Sequence, residues 1–170
     1  MSGSDAVERA RRAADSHESL EPRDDDRYAV ATTVFDADVE VGSADGYATF
    51  SVAVRVPMLD AVTADRVAPV VEDGWFDTFA LRVEDVDGVL RGSDDVGVEV
   101  ERTGEEAVVR VELSDLDAKR AADDAVAVVE YVEGTYVEGV IPGYEYTEPV
   151  TDLIQQAADA AGGSRGGTPL

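Results

Sequence analysis

The sequence predicts an α+β fold: an antiparallel sheet of four to five strands with helices packed on one face, in the order α-ββ-α-ββ-αα. Three observations predict it. Apolar and polar residues alternate with a period of two in "YATFSVAVRV" (47–56) and again across 96–113. Stretches with apolar residues at helical spacing lie before, between and after these runs. Turn-forming clusters, "GSADG" at 42–46 and "RTGEE" at 102–106, separate the alternating runs.

The elements follow in order. In "SDAVERARRAADS" (4–16), Ser4 or Asp5 can cap a short helix whose narrow stripe is Ala6, Val7, Ala10, Ala13 and Ala14. "HESLEPRDDD" (17–26) reads as a polar loop. From Tyr28 the period becomes two, with Tyr28, Val30 and Val34 on one face. Phe35, Ala37, Val39 and Val41 continue in the opposite phase, so a bulge near Val34–Phe35 or two short strands are expected. Strand 47–56 turns Ala48, Phe50, Val52, Val54 and Val56 to one side and ends at Pro57.

Residues 65–87 return to helical spacing, and Gly74 predicts a kink or a break there. A second hairpin pairs Val96, Val98 and Val100 with Ala107, Val109, Val111 and Leu113. Ser114 or Asp115 caps a long helix to about Val132, with Leu116, Ala121, Ala125, Val128, Val129 and Val132 inward. Pro149 opens a last helix carrying Val150, Leu153, Ile154 and Ala157. Residues 1–3 and the Gly-rich tail 162–170 read as disordered ends around a single domain at 4–161.

Composition bounds the setting. The chain has 38 Asp+Glu against 14 Lys+Arg, net −24, and Lys119 is its only lysine. Valine and alanine dominate the apolar residues, with isoleucine only at 141 and 154. Such charge weakens a compact state in dilute buffer, whereas near 1 M salt the Debye length is only about 3 Å. Acids in every segment, one lysine and a Val/Ala core predict a salt-adapted cytoplasmic protein of haloarchaeal type. No run reaches the roughly 18 apolar residues of a membrane span, so no membrane partner is expected.

Several chemistries find no residues. Without cysteine there are no disulfides, thiolate metal sites or thiol catalysis. His17 is the only histidine; in a polar loop it reads as solvated, and no metal site or cofactor is expected. "GGSRG" (162–166) formats Ser164 as a G-x-S-x-G nucleophile but lacks the strand–turn–helix that the motif needs. The many adjacent carboxylates meet no calcium-loop spacing. Arg9, Arg11 and Arg12 form the only basic cluster and are expected to pair with Glu8, Asp15 or Glu18. With no second basic stripe, a nucleic-acid partner is not expected.

Two features stand above this background. In "GWFDTF", Phe76 and Phe79 share a helical face and are assigned to the core, with Trp75 at the rim. "YVEGTYVEGVIPGYEYTEP" (131–149) holds four of six tyrosines, with glycines and Pro142 that are expected to fray the long helix and turn the chain back. Tyr131, Tyr136, Tyr144 and Tyr146 with Trp75 are therefore the candidate binding residues, against the alternative of a hinge sealed by tyrosines around Leu153 and Ile154.

With "EDGWFDTFALRVED" (72–85) and this Tyr/Gly/Pro segment, the chain resembles a haloarchaeal family of uncharacterised proteins, a domain of unknown function, over most of 5–160. The resemblance implies a host and no activity. The element order also looks loosely like the type III secretion chaperone-like fold, a protein-binding scaffold. The expectation is a non-catalytic domain that binds a protein partner or associates with itself. The alternative is a small Mg²⁺-dependent enzyme or small-molecule binder using clustered carboxylates.

Overall fold

A computed structural model describes residues 2–92 and 96–165. It is α+β, with one six-stranded antiparallel sheet and four helices in the order α-ββββ-α-ββ-αα. Helix α1 (Ser2–Ser16) is followed by β1 (Leu20–Pro22), β2 (Arg27–Val30), β3 (Asp36–Ala44) and β4 (Tyr47–Pro57). Helix α2 (Pro69–Val83), strands β5 (Val98–Thr103) and β6 (Glu106–Asp115), then α3 (Ala118–Glu138) and α4 (Val150–Arg165) complete the fold. Strand order across the sheet is β1-β2-β3-β4-β6-β5.

The expected four to five strands become six because the supposed polar loop carries β1. Its Leu20 is buried and pairs with Val30, so one apolar residue in a polar run suffices for a short edge strand. The phase change near Val34–Phe35 resolves into two strands. The chain leaves the sheet after Val30, Val34 is exposed, and Phe35 turns inward before β3.

Register builds the core. Val39, Val52 and Val111 stand side by side across three strands, as do Val41, Phe50 and Leu113. The inward residues of β4 and β6 named above are all buried, while Val98 on edge strand β5 is half-buried. Helices α1 and α3 lie on this face. Ala6, Ala10 and Ala14 of α1 are fully buried, and such small side chains let the helix approach the sheet closely.

Four local expectations are corrected. Gly74 lies inside an unbroken α2, because an exposed helical glycine costs only about 1 kcal/mol and the flanking apolar contacts hold the helix. The cap of α3 is Asp117, whose carboxylate accepts from the Arg120 amide at 3.1 Å. Leu116 precedes that cap and is 62% exposed instead of inward. Helix α3 passes through Gly134 to Glu138, more than one and a half turns beyond the expected end, with Gly139 as its C-cap. Helix α4 extends to Arg165. Met1, residues 166–170 and the side chains around Ser164 lie outside the described residues.

Candidate functional site

The Tyr-rich segment is divided by the end of α3. Tyr131 and Tyr136 are helical, and Tyr144 and Tyr146 lie in the following loop. That loop bonds back to the segment after β4: Ala64 donates to the Glu145 carbonyl and Thr147 to the Val62 carbonyl, both at 2.8 Å. The Tyr144 and Tyr146 rings meet edge to face, and the Tyr146 hydroxyl donates to the Ile141 carbonyl. Both rings are half-buried, so this part of the segment seals a turn.

Tyr136 is a core pillar. It is 0% exposed, and its hydroxyl donates to the Pro57 carbonyl at 2.9 Å, joining α3 to the end of β4. Its ring meets Phe35, Trp75 and Phe79 edge-on at 5.0, 5.4 and 6.0 Å. Burial pushes its hydroxyl pKa well above the ordinary range. The pillar stands between α2, Phe35 and the end of β4, within the same apolar core that includes Leu153.

Trp75 and Phe79, not Phe76 and Phe79, face inward from α2. Trp75 is 5% exposed and stacks on Phe79, with ring centroids 5.6 Å apart and planes 8° from parallel. The i, i+4 relation wins over i, i+3 because Glu72, Trp75, Phe79 and Val83 share the buried face, which meets α3, leaving Phe76 half-buried.

Above Trp75 the two helices part. A cavity of about 290 Å³ lies between Gly74, Trp75, Thr78 and Arg82 on one wall and Thr135 and Gly139 on the other. A second, of about 370 Å³, continues it past Tyr131 and Gly134, sharing Arg82, Thr135 and Glu138 with the first. Tyr131 donates to the Arg82 carbonyl at 3.0 Å and spans this end; burial raises its hydroxyl pKa. At the floor, the Trp75 indole Nε1 is buried without a hydrogen-bond acceptor, the only such side-chain atom among the described residues. It lies 3.6 Å from where a Cβ on Gly139 would stand.

The structure thus brings Trp75 and Tyr131 to one groove, buries Tyr136 behind Trp75, and leaves Tyr144 and Tyr146 beside the groove's end. Sequence reading missed the groove's walls. Their signal was available as Gly74 and Gly134, read as helix breakers although both sit within helices.

Elsewhere the acids hold structure. Glu72 accepts from the Asp60 amide and Arg102, and Asp124 from the amides of Arg91 and Gly92. Asp115 receives two Arg120 hydrogen bonds of 2.8 Å, which hold its carboxyl below the ordinary range. His17 is not solvated: its Nδ1 accepts from the Ser19 amide, and its Nε2 is 3.0 Å from Asp123. Arg11 pairs with Glu8 as expected, and also with Asp26. On the open sheet face, a depression of about 430 Å³ mixes Arg27, Arg55 and Arg110 with Asp38, Glu40, Glu99 and Glu112. Among the described residues, no three histidines or carboxylates come together as a metal would require.

A family model of unknown function (DUF5813) matches residues 15–156. The chain belongs to that family. The matched span of this DUF5813 chain contains both walls of the groove and begins after Ala13 of α1. No curated protein and no solved structure matches it. No described helix is long and apolar enough to cross a membrane.

Proposed function

We propose that this DUF5813 chain is a non-catalytic protein-binding domain, and that the α2/α3 groove receives an apolar segment of its partner. The observation that carries the reading is the buried Trp75 indole N–H without an acceptor at the groove floor. A buried donor left unpaired costs about 1–3 kcal/mol, and a backbone carbonyl of a partner segment that wedges α2 and α3 further apart would relieve it. The walls support the same reading. A Cβ at Gly74 or Gly134 would meet nothing within 4 Å, so intramolecular packing does not require these helical glycines. Val70 and Leu81, 77% and 66% exposed, extend the Gly74/Thr78 side of α2 by helical spacing. The Mg²⁺-dependent alternative has less support, since the groove's acids lie on its rim.

Trp75 is the only tryptophan, so its fluorescence and its indole proton signal report on the groove alone. The test titrates the whole chain with an amphipathic Leu/Ala helical peptide and, in parallel, follows self-association by sedimentation. One of the two should shift the indole signal, and Gly74→Leu, which fills the groove from an open position, should abolish that shift without loss of stability. An indole signal indifferent to both peptide and protein concentration refutes the reading.

The setting we infer is a salt-rich cytoplasm of haloarchaeal type, supported by net −24 and a single lysine. The melting temperature should then climb steeply from roughly 0.1 M to roughly 2 M KCl as screening relieves self-repulsion. A flat or falling curve removes the inference.

A further inference from the structure

The other end of α3 carries a surface that the groove does not explain. Between α1 and the first turn of α3 lies a depression of about 370 Å³ lined by Arg9, Arg12, Ala13, Leu116 and Lys119. Asp117 is the only carboxylate there, and it already accepts from the Arg120 amide. The chain as a whole has 38 acids to 14 cations, so three cations to one acid inverts its composition. None of the three cations forms an ion pair among the described residues; Arg9 donates to the Gly46 carbonyl at 3.2 Å. The two helix ends that meet here, the C-terminus of α1 and the N-terminus of α3, carry opposite partial charges that offset each other. Side-chain charge therefore sets the local field.

Leu116 gives the surface its second property. It stands exposed in the cationic depression, in a chain whose surface is otherwise dominated by carboxylates. Screening in strong salt weakens the charge contribution but not the burial of a leucine.

We propose that this depression docks an acidic segment of a partner protein carrying one apolar side chain. Its carboxylates meet Arg9, Arg12 and Lys119, and its apolar side chain covers Leu116 and Ala13. A nucleic-acid strand fits less well. Its phosphates match the cations, but a strand brings no aliphatic side chain to cover Leu116 and Ala13. The proposal rests on different residues from the groove and does not depend on it.

The experiment uses the full chain and a labelled ten-residue glutamate peptide with one central leucine, followed by fluorescence anisotropy. Saturable binding is expected, and R12E with K119E should weaken it by about tenfold or more. L116S should weaken the leucine peptide by about threefold, at low and high salt alike, and leave an all-glutamate peptide unaffected. Arg12, Leu116 and Lys119 are exposed, so unchanged melting temperatures confirm that the variants fold. The proposal is overturned by absence of saturable binding up to about 1 mM, or by equal affinities for wild type and variants. It is equally overturned by tighter binding of an oligothymidine strand, or by sedimentation showing that a second copy of the chain occupies the patch.

Discussion

The sheet core and the α2/α3 groove are built on opposite terms. Across β3, β4 and β6, buried valines and alanines stand in register with one another and with Phe50 and Leu113. The groove region gathers Phe35, Trp75, Phe79 and Tyr136 in mutual edge and stacked contacts, with one unpaired indole N–H and three glycines along its walls. The sheet spends no residue that packing does not use. The groove keeps glycines inside helices and a buried donor without a partner, and both lower stability. A region that departs from the folding optimum while its neighbour follows it is where a binding role belongs.

The sharpest way to break this contrast is Tyr136. If its ring belongs to the core as firmly as Phe50 does, Tyr136→Ala should cost about 3–5 kcal/mol in a denaturation curve. Tyr136→Phe should cost about 1–2 kcal/mol, because the Pro57 carbonyl is left without its donor. A loss below about 1 kcal/mol for the alanine variant would show that the aromatic cluster is not a load-carrying part of the core.

The two regions were also unequally legible in the sequence. Strands β4 and β6 are readable because a period of two runs through ten residues or so, interrupted in β6 only by Val108. Strand β1 was not, since Leu20 is alone among polar residues and pairing with Val30 is a tertiary event. In α2 apolar residues surround the helix, so spacing could not choose between Trp75 and Phe76. The choice was made by the Tyr136 ring, which receives the indole edge-on from a helix about sixty residues away. Tyr136 stands out in the sequence for its place among tyrosines, but its burial depends on α3 continuing past Gly134. The cationic depression was half visible: Arg9 and Arg12 were noted, while Lys119 and Leu116 join them only through the packing of α1 on α3.

A second comparison sets satisfied polar groups of the sheet against the orphan in the groove. Asp115, at the end of β6, is buried but doubly bonded by Arg120, which lowers its pKa. A lowered folded pKa means that its contribution is fully present above the ordinary value of 3.8 and is lost as pH falls below it. Arg120→Met should therefore reduce stability near neutrality by less than Tyr136→Ala does, given the exposure of the arginine. The gap between variant and wild type should close as the solution is acidified past that value. A gap that stays constant from neutral to strongly acidic solution would mean that the pair is not coupled to folding.

The smallest expected effect is the most informative about the groove. Gly74 lies within α2 and Gly134 within α3, both exposed, and a Cβ at either meets nothing within 4 Å. Neither has a positive φ, unlike Gly46, Gly104 and Gly143, so alanine fits the backbone at both places. Alanine removes backbone freedom from the unfolded chain and favours the helix, so each substitution should stabilise by about 0.5–1 kcal/mol. The gains should add, because the two positions lie on separate helices. If both variants are more stable yet lose the indole response to a peptide, the glycines are kept for the close approach of a partner backbone. If either variant is less stable, the helix there needs its glycine for folding, and the argument that the walls are reserved for a partner fails at that wall.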